Sequence, residues 1–312
     1  RYSWVVRVVQ RAPSWCLPQS VKRVGSETTD SQVAAKQIEE LDGQSSHPKV
    51  VVADSLYCNQ YFLAVFLALQ TIFALVRMRS NQVLYEEPAE RVTGQLGRSR
   101  KHGQKFKLSA PRRDPERSET VELLGQKVRL SAWTGLHLRA LPLLMGLVLR
   151  VEFLKADETP RFKRPLFLFW TGPWDASLAD LCFIYLWRFA IEHMFRFMKQ
   201  HLGLTTSRSP SLGYHERWVW FCALAYTQLL LIRYEVADQR PAWQRQPRQD
   251  SPTPLTARQV QRNALAFFVD LDAQSPAPKP TGKGTGRPFG FHPKPRTRHS
   301  VVKKAKKSVK SG

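Results

Sequence analysis

Four residues in the second half of the chain have the types and spacing of a site that binds phosphate and metal. Tyr185, Arg188, Glu192 and Lys199 occupy positions 1, 4, 8 and 15 of the run YLWRFAIEHMFRFMK. At about 100° per residue, these positions fall within roughly a 60° arc of a helix. A carboxylate holds a hard cation through oxygen, and Arg and Lys bind phosphates, so this polar stripe predicts a metal-assisted phosphate site. The alternative is a surface helix with i,i+4 ion pairs.

One helix over residues 180–202, stopped by Gly203, is expected to carry this stripe. Its opposite side is expected to be buried and contains Phe189, Ile191, Met194, Phe197 and Met198. A second long helix, from His215 to about Ala237, is expected to pack behind it. The predicted buried side of this second helix contains Trp218, Phe221, Leu224, Ala225, Leu229 and Ile232.

A second candidate carboxylate, Asp54, follows an apolar run in the first half of the chain. Residues 28–41 read as a helix capped by Asp30, and residues 49–53 then read as a buried strand of an α/β sheet. Ligands of open α/β sheets bind where strands end, so Asp54 is a candidate ligand-binding residue. The alternative is that Asp54 only caps the next helix.

The spacing of the four stripe residues resembles the signature of a large group of bacterial insertion-sequence transposases, the Tyr-Arg-Glu-Lys (YREK) branch. Asp54, Tyr57 and Asn59 resemble the motif around the second catalytic Asp of that family, with Cys58 at a position where Gly is common. The resemblance covers roughly residues 1 to 240. It implies an α/β, ribonuclease-H-like catalytic core that is interrupted by a mostly β insertion domain and followed by a disordered basic tail.

The implied domains are residues 1–76 for the first part of the core, 77–172 for the insertion, 173–239 for the last helices of the core, and 240–312 for the tail. The implied chemistry is phosphodiester hydrolysis and strand transfer with two Mg²⁺ or Mn²⁺ ions. The implied partner is double-stranded DNA, both transposon ends and target, bound by a dimer in the bacterial cytoplasm at the nucleoid.

In this resemblance, Asp54 and Glu192 are catalytic residues and metal ligands. Arg188 and Lys199 bind phosphates of the transposon end, and Tyr185 lies beside the DNA backbone. The first catalytic Asp of the family lies on an opening strand for which the sequence shows no counterpart. We therefore expect a chain that is truncated at its N-terminus and inactive as it stands. The alternative is a non-catalytic DNA-binding protein derived from a transposase fold.

Composition favours a nucleic-acid partner, because the net charge is +23 and the pI is about 10.3. The best membrane candidate, residues 61–76, is shorter than about 18 residues and contains Gln70 and Thr71, which favours a buried helix. The four cysteines form no CxxC pair, so the sequence indicates neither a zinc module nor a disulfide framework.

The predicted insertion has candidate strands at residues 74–79, 82–85, 127–133, 147–153 and 166–170. It also contains a basic loop, residues 98–107, in which Arg100 and Lys101 are candidates for binding DNA backbone; the alternative is a solvated loop. Trp133 and Trp170 are candidates for stacking on an extruded base, although packing inside the β domain is favoured.

The last 73 residues, 240–312, contain 16 Lys and Arg against three Asp, which is +13 of the total charge. One short amphipathic helix is predicted over residues 256–271. No acidic residue follows Gln274, and we expect that part to be disordered and to add nonspecific DNA affinity. The alternative is a tail that only improves solubility.

Overall fold

The computed structural model describes residues 1–9, 15–42, 47–90, 98–207, 209, 211–239, 255–270 and 290. The predicted disordered tail, apart from Gly290, lies outside the described residues.

The chain opens with a two-stranded antiparallel ribbon of β1 (Tyr2–Val8) and β2 (Cys16–Arg23), followed by α1 (Asp30–Glu39). Thr29 caps α1: its side chain accepts a hydrogen bond from the amide of Gln32, and the Gln32 side chain accepts one from the amide of Thr29. The prediction that Asp30 is the cap was therefore wrong by one residue, because Thr followed three residues later by Gln forms a capping box.

Among the described residues, one eight-stranded sheet contains all the remaining strands. Its members are β3 (Lys49–Ala53), β4 (Ile72–Met78), β5 (Val83–Glu86), β6 (Lys105–Lys107), β7 (Arg117–Leu123), β8 (Gln126–Leu138), β9 (Leu141–Phe153) and β10 (Leu166–Trp170). The order is β3-β4-β10-β9-β8-β5-β6, with β7 paired to β8; β3 and β4 are parallel and the other pairs are antiparallel. The mixed α/β fold is confirmed, and it is consistent with a ribonuclease-H-like fold.

The apolar run at residues 61–76 is helical only at its start. Helix α2 (Gln60–Leu63) and a 3₁₀ turn (Ala64–Leu67) are followed by β4, so the predicted buried helix is shorter than expected. The reason is that β4 is rich in β-branched and aromatic residues and pairs with both β3 and β10. Among the described residues, no helix is long and apolar enough to span a membrane.

The predicted helix over residues 180–202 is two helices, α3 (Leu178–Trp187) and α4 (Ala190–His201). Between them, the amides of Arg188, Phe189, Ile191 and Glu192 each donate to the carbonyl three residues earlier, as in a 3₁₀ helix. The physical reason is that the helices pack on different cores. Helix α3 covers one face of the large sheet, whereas α4 packs with the β1–β2 ribbon and with α5 (Leu212–Ile232).

Helix α5 buries a face that overlaps only in part with the predicted one, because Trp218, Leu229 and Ile232 pack partly buried against the core as predicted. Phe221 and Leu224 are 62% and 54% exposed, whereas Cys222, Tyr226 and Leu230 are buried. The helix is apolar on nearly all sides, so its sequence period does not select the face that packs. A final described helix, α6 (Ala257–Asp270), agrees closely with the predicted one and packs on α4 and α5.

Candidate functional site

Asp54 directly follows β3, at the edge of the sheet where β3 and β4 both end. Ala53 pairs with Val76, and the carboxylate oxygen Oδ1 of Asp54 accepts a hydrogen bond from the amide of Ser55 at 2.8 Å. Asp54 thus caps the 3₁₀ turn Ser55–Tyr57, as the alternative proposed. Its side chain is nevertheless 46% exposed, so capping does not prevent it from binding a ligand.

The other motif residues hold the loop that carries Asp54. The Asn59 side chain donates to the Ser31 hydroxyl at 2.8 Å and to the Leu56 carbonyl at 2.7 Å. Its oxygen accepts from the amides of Tyr61 and Phe62 at the start of α2. Asn59 therefore joins α1, the Asp54 loop and α2. This role in positioning explains why an Asn follows the Asp at this short distance.

Tyr57 and Cys58 stabilise the same loop because their side chains pack against the hydrophobic core. The Tyr57 ring packs on the Phe62 ring with centres 5.1 Å apart, and burial, together with the charge of Asp30, raises the pKa of the Tyr57 phenol. Burial raises the pKa of the Cys58 thiol to about 11. The thiol therefore stays protonated near neutral pH and acts as a small packed side chain rather than as a nucleophile.

Arg77 is a member of the site that the sequence analysis missed. Residues of β4 alternate between the two faces of the sheet, and Leu75 and Arg77 face the side that α3 covers. The Arg77 Nη1 atom lies 3.8 Å from Asp54 Oδ1, and both side chains are about half exposed. A signal was present in the sequence, because Arg77 is the single charged residue of the strand IFALVRM.

Tyr185 lies at the end of α3 on the same side of the sheet and is 7% exposed. Burial raises the pKa of its phenol; Arg188 counteracts this, the charge of Asp54 adds to the increase, and Arg77 again opposes it. The Arg188 guanidinium carbon is 5.7 Å from the Tyr185 ring centre. Tyr185 is therefore within electrostatic reach of both Asp54 and Arg188.

Glu192, in the first turn of α4, is connected to these residues through Arg188. Its Oε1 atom is 3.4 Å from Arg188 Nη2, and its side chain is 46% exposed. We call Asp54, Arg77, Tyr185, Arg188 and Glu192 the Asp54–Glu192 group. The 3₁₀ junction between α3 and α4 lies within it, so three of its residues are positioned where the two cores meet.

Lys199 lies two turns beyond Glu192 on the same face of α4. It is exposed, and its Nζ atom is 5.9 Å from the Phe195 ring centre. Arg100 and Lys101 are exposed in the loop before β6. Within the described parts of the chain, no hydrogen bond or ion pair links them to Asp54 or Glu192. The structure thus places Tyr185 within electrostatic reach of Asp54 and pairs Arg188 with Glu192 as i,i+4 neighbours, as the alternative proposed. Within the described residues, no hydrogen bond or ion pair joins Asp54 to Glu192, Lys199, Arg100 or Lys101.

Trp133 and Trp170 pack inside the sheet domain, which was the favoured prediction. They are 3% and 4% exposed, and their ring nitrogens donate to the carbonyls of Arg113 and Pro173 at 3.0 and 2.8 Å. Neither ring face is free to stack on a base.

Each of the two carboxylates has one oxygen available to bind a divalent cation. Asp54 Oδ2 and Glu192 Oε2 accept no hydrogen bond from the described residues, and carboxylate oxygens are the ligands that Mg²⁺ and Mn²⁺ prefer. The described part of the chain contains no cluster of three or more His, Cys, Asp or Glu residues arranged to hold a metal. Any metal held here would therefore keep open positions for water and substrate.

Comparison with known families gives one match. Residues 1–139 match the model of the DDE superfamily endonuclease family. The matched region contains Asp54, its loop and Arg77, and it ends before α3, so Tyr185, Arg188 and Glu192 lie beyond it. The match supports a DDE-type endonuclease or transposase, an enzyme class that acts on DNA and generally uses divalent metals. No curated protein matches the chain.

Proposed function

We propose that the chain carries the active site of a DDE transposase of the Tyr-Arg-Glu-Lys branch, with Asp54 and Glu192 as metal ligands. The observation that carries the proposal is the Asp54–Glu192 group itself. Its two carboxylates are 138 positions apart in sequence and both are about half exposed. Arg77 lies next to Asp54, Arg188 lies next to Glu192, and Tyr185 interacts electrostatically with Asp54 and Arg188, which supports the proposal. The match of residues 1–139 to a DDE endonuclease model supports the same assignment.

Each residue has a role that follows from its surroundings. Two Mg²⁺ or Mn²⁺ ions would activate the attacking water or the 3′-hydroxyl of a DNA strand and stabilise the leaving oxygen. Asp54 and Glu192 would hold these cations, and Arg188 and Lys199 would bind phosphates. Tyr185, whose pKa is raised by burial, remains protonated at neutral pH and can donate a hydrogen bond to a phosphate oxygen. Arg77, 3.8 Å from Asp54, would be free to bind a phosphate if Asp54 bound a cation instead.

The rest of the chain forms the remaining domains of the proposed transposase. Residues 77–172 form the insertion domain, and residues 1–76 and 173–239 form the catalytic core. Residues 240–312 add nonspecific affinity for DNA through their excess of 13 positive charges. The protein acts as a dimer on double-stranded DNA of transposon ends and target, in the bacterial cytoplasm at the nucleoid.

A second candidate function is DNA binding without catalysis. It is favoured by the presence of only two carboxylates, Asp54 and Glu192, in the described part of the site. Two cations in close contact need a bridging anion to offset their repulsion. We therefore expect the 312-residue chain to bind DNA in a salt-sensitive way and to show no magnesium-dependent cleavage of transposon ends.

Binding of Mn²⁺, followed by electron paramagnetic resonance, tests the active site independently of cleavage. Asp54→Asn and Glu192→Gln should each weaken Mn²⁺ binding by at least 10-fold, while DNA affinity falls less than about threefold. The matched control is Glu216→Gln, which removes a half-exposed glutamate on α5 that pairs with Arg23 of β2. If Mn²⁺ binding is the same in all three variants and the wild type, the active-site assignment is wrong and DNA binding alone remains.

A further inference from the structure

The loop between β9 and β10, residues 154–165, lies at the same edge of the sheet as Asp54. Phe167 of β10 pairs with Met78 at the end of β4, and Ala53 of β3 pairs with Val76 on the other side of β4. The loop ends at residue 165, directly before β10, and so lies just outside the edge at which β3 and β4 end. Since adjacent strands are about 4.8 Å apart, the start of β10 and the end of β3 are separated laterally by about 10 Å.

This loop has a net positive charge, with four Lys and Arg against two acidic residues. Its four cations, Lys155, Arg161, Lys163 and Arg164, are exposed. Its two acids are already engaged: Asp157 accepts hydrogen bonds from the amide and hydroxyl of Thr159, and Glu158 pairs with Lys127 of β8. None of the four cations forms an ion pair within the described residues, although Lys155 interacts electrostatically with Asp157. The charges of Arg161, Lys163 and Arg164 therefore remain available to a partner outside the chain.

An exposed aromatic ring lies among these cations. Phe162 is 55% exposed, and its edge meets Phe153 with ring centres 5.8 Å apart. The Arg161 guanidinium is 5.7 Å from the Phe162 ring centre. A basic surface with an exposed aromatic ring is typical of proteins that hold a nucleic-acid strand, because cations bind phosphates while the ring packs on a base or sugar.

The loop backbone is held in place before any ligand binds. The Arg161 amide donates to the Phe153 carbonyl at 2.7 Å, and the Lys155 amide donates to the Thr159 carbonyl at 2.9 Å. A β-bridge joins Leu154 to Pro160. Binding of a partner therefore costs little backbone entropy in this loop, which favours the loop as a preformed contact surface.

Arg79 extends the basic surface toward Asp54. It follows β4 next to the start of β10, is exposed, and has no ion pair among the described residues. It borders a cavity of about 380 Å³ in which polar side chains predominate. The lining residues are Ser55, Leu56, Cys58, Asn59, Arg79, Asn81 and Gln82. The cavity and the loop thus both lie at the edge of the sheet where Asp54 is found.

We propose that loop 154–165 and Arg79 bind the phosphodiester backbone of the DNA strand next to the Asp54–Glu192 group, with Phe162 packing on an unpaired base or sugar. This inference rests on the proposed function and names the surface that guides DNA into that site. Residues Lys163 and Arg164 supply the phosphate contacts, and Arg79 links them to the position of Asp54.

Fluorescence anisotropy with the full chain and a 30-base-pair duplex tests the proposal over a series of salt concentrations. The double variant Lys163→Gln/Arg164→Gln should bind at least 10-fold more weakly at low salt and lose about two units from the slope of log K against log salt. The matched control is Arg7→Gln/Lys36→Gln, one exposed Arg and one exposed Lys on β1 and α1. The control should change affinity less than threefold and leave the slope unaltered.

Phe162→Ala separates the aromatic contact from the charges. It should weaken binding of single-stranded DNA about fivefold to 10-fold while the salt slope stays the same, because a stacking contact releases no counterions. Melting temperatures of all these variants should match the wild type, since the changed side chains are exposed.

The outcomes distinguish this inference from the proposed function. If the loop variants bind DNA like the control while Asp54→Asn still loses Mn²⁺, the loop proposal is overturned and the active site stands. If the loop variants lose DNA affinity while Mn²⁺ binding is independent of Asp54 and Glu192, the loop stands and the catalytic proposal falls. Loss of affinity for anionic vesicles or acidic peptides in the loop variants, with full affinity for DNA retained, would also overturn the loop proposal.

Discussion

Arg77 Nη1 lies 3.8 Å from Asp54 Oδ1, across the parallel pair of strands β3 and β4. Both side chains are about half exposed, and exposed ion pairs of this kind contribute only about 0–1 kcal/mol to the free energy of unfolding. The pair is therefore poorly suited to stabilise the fold. We propose instead that this ion pair can be replaced by two contacts with ligands, in which a metal would bind the Asp54 carboxylate and a phosphate would bind the Arg77 guanidinium.

Replacement of Arg77 tests this exchange. Arg77→Gln should change the free energy of unfolding by less than about 1 kcal/mol, because the lost pair is exposed. Mn²⁺ should bind about threefold to 10-fold more tightly, since the competing cation is gone, and DNA should bind more weakly. Urea unfolding, Mn²⁺ titration and anisotropy measure the three effects.

Arg7→Gln is the control for Arg77→Gln, since Arg7 is an exposed Arg in the separate β1–β2 ribbon. It should leave Mn²⁺ binding unaltered. Equal Mn²⁺ affinity in Arg77→Gln and wild type would mean that Arg77 does not compete for Asp54.

The break between α3 and α4 gives a prediction about packing. Met194 is fully buried in the core of α4 and α5, whereas Phe189 at the junction is 50% exposed. Met194→Ala should therefore lower the free energy of unfolding by about 2–4 kcal/mol. Phe189→Ala removes a larger side chain but should cost less than about 1 kcal/mol. Urea denaturation compares the two, and a greater loss for Phe189→Ala would favour the single helix predicted from sequence.

Local signals in the sequence were sufficient to predict the strand that ends at Asp54 and the existence of helices around Glu192. A continuous apolar run followed by Asp has few other interpretations, and the bounds of β3 and β10 agree with those predicted. The capping box of α1 was also a local signal, since Thr29 and Gln32 are three residues apart.

The remaining features depend on contacts between distant parts of the chain. The 3₁₀ junction at Arg188 arises because α3 and α4 pack on separate cores, and periodicity within the segment does not show which core each helix meets. Arg77 meets Asp54 because β3 and β4 pair in one particular register. The buried face of α5 is selected by its neighbours, because Phe221 and Tyr226 are both large and aromatic but only Tyr226 is buried.

Asn59 should matter for the shape of the site as well as for stability. Asn59→Ala removes the cap of α2 and leaves the Ser31 hydroxyl without this donor, so we expect a loss of about 1–3 kcal/mol in the free energy of unfolding. Because the Asp54 loop loses its link to α1, Mn²⁺ affinity should also fall. Thermal melts and Mn²⁺ titration measure both effects.

Asn81→Ala is the control for Asn59→Ala, since Asn81 borders the same cavity but is exposed. It should change stability by less than about 0.5 kcal/mol. If Asn59→Ala lowers stability but binds Mn²⁺ as tightly as the wild type, Asn59 contributes to folding and not to the shape of the metal site.

The buried cysteines predict how stability depends on alkaline pH. Burial raises the pKa of Cys16 and of Cys182 from an ordinary value of 9.0 to about 12. In the folded state these thiols stay protonated between pH 9 and pH 12, whereas in the unfolded chain they ionise above pH 9. The unfolded state therefore binds fewer protons in this window, and the free energy of unfolding falls as pH rises, by about 1.4 kcal/mol per pH unit for each thiol. Below pH 9 these thiols contribute no pH dependence.

Urea midpoints at pH 8, 9, 10 and 11 for wild type, Cys182→Ala and Val33→Ala test this dependence. Cys182→Ala should flatten the decline above pH 9 by about 1.4 kcal/mol per pH unit, because its thiol no longer titrates on unfolding. Val33→Ala removes buried methyl groups from α1 without changing any titrating group, so it should lower stability equally at every pH. A decline in Cys182→Ala as steep as in the wild type would show that the Cys182 thiol already ionises in the folded protein.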